Sequence, residues 1–508
     1  MTAALFLPRT THSLCAFLKR SLIFVHRWLG VALCLLFLLW FCSGIVMMYW
    51  DFPSVAVRDR LEHSPGLNTS KVASQIRLSP AEAYAKLESR QPPSQLRLNT
   101  FDGRPVYRFR TGRERRIIYA DTGEEQIATS PEMMRRIAAQ WTGQPAPLAK
   151  AELLEDVDQW TLEGGLSNLP LWKYSWPDGE QVYISRDSGE VVQYTTRASR
   201  FWAYLGAIPH WLYFTPLRKH GPQWSQTIIW VSAVGTVSAL LGIIIGVWMY
   251  SPAKRYRYAG DPSSIPYRGQ KRWHMILGLI FGLSAATWAF SGFLSMDPFP
   301  LQTEARGRGA AGKISSALRG KFQLPAFDLK PPQRALALLA GLNVKEIEFT
   351  SFAGEPVYLA TLDRGETRIL PVSGEPMAAF DHGRVAEIVR SAVGPANIAD
   401  LRLLNQYDAY YLDRHHEQPL PVIFLKLNDP ENTRYYIDPK TARVVGDYRT
   451  GRWVERWLYH GLHSLNFPWL YRYRPLWDVV VISLLAGGCA LCITSLMLAW
   501  RVVSGVAR

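Results

Sequence analysis

Residues 26–48 read HRWLGVALCLLFLLWFCSGIVMM, and residues 274–296 read HMILGLIFGLSAATWAFSGFLSM. The stretches share His26 and His274, Gly30 and Gly278, Trp40 and Trp288, Ser43-Gly44 and Ser291-Gly292, and Met48 and Met296. Every pair is 248 positions apart, with no gap. Six matched positions in one register, His and Trp among them, mark an internal duplication. Each stretch is also apolar over about 20 residues, enough to cross a bilayer as a helix.

Two further apolar runs complete the set, so four spans are expected at 28–50, 227–250, 274–296 and 477–500. They cover roughly a fifth of the chain. The chain has 508 residues, 48% of them hydrophobic, yet its mean hydropathy is −0.05. A polytopic permease would score well above zero, and a soluble protein would lack such runs. The balance describes a membrane protein with large water-facing parts. Nineteen Trp and 23 Tyr suit interfacial belts.

Charge sets the orientation. Residues 1–27 carry Arg9, Lys19, Arg20 and Arg27 and no acid. Residues 251–273 carry Lys254, Arg255, Arg257, Arg268, Lys271 and Arg272 against Asp261. The tail adds Arg501 and Arg508. By the positive-inside rule all three segments are cytoplasmic. They hold most of the formal +15, so the basic balance reports topology and calls for no nucleic acid. The expected layout is a cytoplasmic N-terminus with span one (1–50), an outside region (51–226), span two (227–250), a basic cytoplasmic loop (251–273), span three (274–296), a second outside region (297–476), span four (477–500) and a cytoplasmic tail (501–508). The apolar run behind Arg27 is too long for a signal peptide and lacks an A-x-A exit, so it reads as an uncleaved helix.

The outside regions repeat as well. Asp102-Gly-Arg-Pro-Val-Tyr107 matches Ala353-Gly-Glu-Pro-Val-Tyr358, and Thr122-Gly-Glu124 matches Ser373-Gly-Glu375. Ser79-Pro80 opens a helix over 79–90. Alternating runs at 94–101, 105–110 and 115–120, split by Asp102-Gly103 and Thr111-Gly112, read as hairpin strands. The turns ending in Gly-Glu are turn chemistry. The fold expected is an α-helical four-span bundle with two periplasmic α+β domains and an internal two-fold duplication. Both copies run the same way, so a pseudo-two-fold along the membrane normal would relate them.

Five cysteines give no disulfide framework, because Cys34, Cys42, Cys489 and Cys492 lie in apolar spans and Cys15 lies near the N-terminus. Cys489-x-x-Cys492 beside Gly487-Gly488 reads as small-residue packing.

The histidines carry the chemistry. His26 and His274 are repeat-equivalent and open spans one and three. His210 and His463 sit before spans two and four, and His460 lies three residues ahead of His463. Two neutral imidazoles on facing helices can ligate a haem iron axially. A hydrocarbon core of about 30 Å separates the two levels, so pairing must run across the repeat: His26 with His274, and His210 with His463 or His460. Gly242-xxx-Gly246 and Gly278-xxx-Gly282 permit close packing or a flat macrocycle. The competing reading makes these histidines headgroup anchors. His415-His416, near Asp413 and Glu417, read as a solvated loop.

The His26-Arg-Trp-Leu-Gly30 opening, its echo His274-xxx-Gly278, the duplicated α+β modules and the histidines before the returning helices resemble the PepSY-associated transmembrane-helix family. The likeness spans nearly the whole chain. One departure is Ala207, where the second copy has His460. The resemblance implies a bacterial inner-membrane protein, multi-pass, with PepSY-like domains in the periplasm. Some members are dihaem siderophore reductases. It therefore implies two haem b groups at the histidine pairs and a ferric siderophore or other ferric chelate as substrate, in iron acquisition. No Gly-x-Gly-x-x-Gly follows a strand, so electrons would come from a separate protein or from quinol. No hydrolase motif is present. The rival function is a non-enzymatic, membrane-anchored PepSY protein with a binding or regulatory role. A transporter is disfavoured by the scarcity of charge inside the spans.

Overall fold

The computed structural model describes residues 9–89, 91–112, 114–163, 169–299, 308–413 and 417–505. His415 and His416 lie outside the described residues. The chain forms two compact units: residues 1–52, 198–301 and 453–508 make one, and 53–197 with 302–452 make the other.

The first unit is helical. Four of its helices are long and apolar enough to cross a membrane: Leu14–Met47, Gly221–Met249, Gly269–Leu294 and Arg474–Val503. Each continues past its apolar run, since a helix satisfies its own backbone polar groups at any depth. His26 therefore lies well inside the first span helix rather than at its start. The first helix packs on the second and fourth, and the third packs on the same two. The first and third face each other across the bundle. Small residues allow the close approach: a Cβ on Gly488 would sit 2.5 Å from the Phe41 ring. The outer faces expose Trp230, Leu283, Val479 and Trp500, as lipid contact requires.

The second unit is α+β. Its central sheet has six antiparallel strands in the order β12-β11-β10-β1-β2-β3. These are β1 (Gln95–Phe101), β2 (Arg104–Thr111), β3 (Glu114–Tyr119), β10 (Val344–Phe352), β11 (Glu355–Leu362) and β12 (Thr367–Pro371). The hairpin runs read from sequence are thus strands. The Ser79 cap also holds, although the helix it opens spans only Pro80–Ala85 and does not reach 90: its hydroxyl accepts from the Glu82 amide, and Glu82 accepts from the Ser79 amide. Two four-stranded sheets flank this one. One joins β4 (Lys150–Leu154), β5 (Leu171–Ser175), β6 (Gln181–Ser185) and β7 (Val191–Thr195). The other joins β13 (Ile398–Leu404), β14 (Val422–Leu427), β15 (Arg434–Asp438) and β16 (Arg443–Tyr448). A short hairpin, β8 (Tyr256–Tyr258) and β9 (Asp261–Ser263), lies in the basic loop of the first unit.

The two outside regions do not close as separate modules. Strand β1 of one pairs with β10 of the other, with Leu96 opposite Phe349, Arg97 opposite Glu348 and Leu98 opposite Ile347. Pairing removes an exposed edge from each three-stranded half. On one face, Leu96, Leu98, Tyr107, Phe109, Phe349 and Tyr358 build the core. The other face carries a charge chain along the seam. Glu190 meets Arg108 at 2.7 Å, Arg108 donates to Asn99, Asn99 donates to Glu346, and Arg97 bridges Glu346 and Glu348.

Burial holds the Glu346 carboxyl above the usual carboxylate range, although Arg97 and the Asn99 bond pull it back. The native state therefore binds this proton more readily than the unfolded chain. Its contribution favours folding below the ordinary carboxylate value and is lost as pH rises through the raised native one. Glu346→Gln keeps the shape and removes the titration. It is expected to raise thermal stability once the pH exceeds the raised native value, and to flatten the fall in stability that begins above the ordinary carboxylate range. Melting curves of the full chain in detergent check this, and an unaltered profile counts against it.

Candidate functional site

The bundle brings the repeat-equivalent histidines together. The rings of His26 and His274 have centres 6.3 Å apart, tilted by 34°. The rings of His210 and His463 have centres 6.0 Å apart, at 73°. His26 and His274 come from the first and third span helices. His210 and His463 come from short helices, Ala207–Trp211 and Leu462–Ser464, ahead of the second and fourth.

These short helices are built alike. Each ends in a left-handed leucine, Leu212 (φ 51°) and Leu465 (φ 47°). An indole from the next span helix caps the residue after each histidine: Trp224 donates to the Trp211 carbonyl at 2.8 Å, and Trp477 to the Ser464 carbonyl at 2.9 Å. Trp288 adds a bond to the His463 carbonyl at 2.9 Å. The backbone at each histidine is thus fixed from outside its own turn.

The ring nitrogens are oriented by a common device. Nδ1 of His26 lies 3.0 Å from the Ser238 carbonyl oxygen, which can only accept, so this Nδ1 carries the proton. Nδ1 of His210 lies 3.0 Å from the Ser43 hydroxyl, and Nδ1 of His463 lies 2.9 Å from the Ser291 hydroxyl. Each serine donates its own proton back to a carbonyl three residues earlier, Trp40 or Trp288, and so accepts from the imidazole. His274 Nδ1 meets Thr494 at 3.2 Å, and Thr494 donates to Leu491. The Ser495 hydroxyl also lies 3.4 Å from this Nδ1. In His26, His210 and His463 the partners put the proton on Nδ1 and leave the lone pair on Nε2. Ser43 and Ser291 were visible in the repeat; Ser238 and Thr494 had no sequence signal.

An imidazole nitrogen binds a transition metal at about 2 Å, and the ring centre lies roughly 1 Å behind it. Two imidazoles on opposite sides of one metal therefore have centres roughly 6 Å apart. Both pairs have that spacing. Among the described residues no group of three or more His, Cys, Asp or Glu gathers to hold a bare metal ion. Two nitrogens fit a metal whose remaining ligands come from a macrocycle. The donor set and spacing both fit haem.

A family model described as the PepSY-associated TM region matches residues 23–340. The chain belongs to that family. No curated protein matches it. The family match takes in His26, His210 and His274, and the pairing adds His463 from beyond it. In this PepSY-associated membrane protein, burial pushes His210 down to about 4 and His463 to about 3, the latter helped by the facing His210. Both rings are neutral at ordinary pH, the form that ligates iron. His460 lies against Tyr459, with ring centres 4.5 Å apart and planes tilted by 38°, while His463 is the ring that faces His210.

Proposed function

We propose that this protein is an inner-membrane reductase that carries electrons across the bilayer to a ferric siderophore or other ferric chelate in the periplasm. The observation that carries this reading is the two pairs of facing imidazoles, each ring held through Nδ1 by a carbonyl or hydroxyl. His26 with His274, and His210 with His463, would each hold one haem b. Haem bound there supplies one-electron redox chemistry. The protein's own share is to fix the rings, keep them neutral and exclude water. The basic segments support a cytoplasmic side for both termini, with the α+β unit then in the periplasm. The matched turns, serines and indoles around His210 and His463 support a duplicated unit with pseudo-two-fold symmetry. Reduction releases iron because hard oxygen donors hold Fe(III) better than Fe(II). The donor is a separate protein or quinol.

The test is direct. Purified protein should give about two haems per chain by pyridine haemochrome. Its dithionite-reduced spectrum should reoxidise on adding a ferric trihydroxamate. A colourless preparation from haem-replete cells sinks the reductase and leaves a PepSY binding or regulatory protein.

The serines give a finer test. Ser291→Ala leaves the His463 Nδ1–H without its acceptor. Losing such a partner weakens metal retention by about 10- to 100-fold. It also makes the ligand less basic, so the reduction potential of the His210–His463 site should rise. Ser291→Thr should restore both. Redox titration and haem retention under dilution check the effect, and identical values for Ser291→Ala and the parent would refute it.

A further inference from the structure

Cys42 and Cys489 are 447 positions apart, yet their sulfurs lie 3.5 Å from each other. Cys42 belongs to the first span helix and Cys489 to the fourth. Cys489 thus meets a cysteine on another helix, which the C-x-x-C spacing with Cys492 gives no reason to expect. The helices approach closely at this layer, because Gly488, next to Cys489, packs directly on Phe41, next to Cys42. Both thiols are free. Closing them to a disulfide of about 2.05 Å needs the sulfurs to approach by roughly 1.5 Å.

Access decides the oxidant. Cys42 is exposed on the outer surface of the bundle, in a helix apolar enough to sit in lipid. Water-soluble disulfides such as oxidised glutathione do not partition there. Lipid-soluble quinones do.

We propose that Cys42 and Cys489 form a reversible dithiol–disulfide site that reacts with membrane quinone and ties the first span helix to the fourth. The step balances. Two S–H bonds break and one S–S bond forms, releasing two electrons and two protons. The quinone takes up both and becomes quinol. Ser43, the next residue after Cys42, holds His210, so the crosslink would lock the helix segment that orients that ring.

The experiment uses the full chain in detergent, reduced and then incubated with a short-chain ubiquinone. The protein is denatured, alkylated with N-ethylmaleimide and analysed by mass spectrometry. The chain has five cysteines, so alkylation should fall by two, with a peptide pair linked through Cys42 and Cys489. Dithiothreitol should restore full alkylation, and Cys42→Ser should abolish the link. Full alkylation after quinone, or a link between other cysteines, would overturn the proposal. The readout is independent of haem, so its failure leaves the reductase reading standing, and a colourless protein leaves this one standing.

Discussion

Replacing His463 with alanine is expected to leave about one haem per chain instead of two. The His463 ring stands opposite His210 at 6.0 Å between centres, and its nitrogen is aimed by Ser291. Alanine removes one of the two protein ligands to that site. It leaves Ser238 and Thr494, and with them the aim of His26 and His274, untouched. The surviving haem should keep the spectrum and potential of the other pair. His274→Ala should give the reverse, and the double variant should be colourless. Pyridine haemochrome with redox titration reads all three. Retention of two haems by His463→Ala would move the ligand to another residue. Loss of both from a protein that still elutes as a single folded species would mean that the sites are not independent. Folding is followed separately, by the melting of the α+β unit, whose core cluster does not include His463.

His26 and His274 were legible because they recur in a fixed register with Trp, Ser and Gly, and His210 and His463 because they hold matching places before spans two and four. What orients them was not. The Ser238 partner of His26 is a backbone carbonyl, which every residue possesses, and Thr494 lies on a helix far away in sequence. The choice between His460 and His463 was also out of reach. Residues three apart share a face of an α-helix, so periodicity treats them alike. The segment Val454–Gly461 is instead a π-helix, whose wider turn changes which ring points where. The central sheet gives a similar lesson. Arg97 and Asn99 alternate with Leu96 and Leu98, which reads as a solvent face on an amphipathic strand. Their partners are Glu348 and Glu346 of the other region. The complementary charges were present in both halves, but only the β1–β10 register connects them.

Glycine 242 provides the second large effect. It lies on the second span helix, four residues after Ser238, so the two share a face. Ser238 accepts from the His26 ring, and Gly242 lies beneath it: a Cβ there would sit 2.8 Å from Cε1 and 3.3 Å from Nε2 of His26. The missing side chain makes the room in which this imidazole stands. Gly242→Leu fills that room with four carbons, and a packed helix interface does not widen by that much without losing contacts. The ring must rotate away, which breaks its bond to Ser238 and moves it from its place opposite His274. The expected result is loss of the His26–His274 haem, with the His210–His463 haem kept. The helix should survive, since leucine is a better helix former than glycine by about 0.8 kcal/mol. Gly242→Ala, with a single carbon, should fall between the two. Haem stoichiometry and the spectrum of the remaining site measure the series. A Gly242→Leu protein with both haems at the parent potentials would show that His26 does not ligate from the position seen here. The prediction therefore tests the site through a residue that bears no ligand atom, so it separates the geometry of the pocket from the mere presence of histidine.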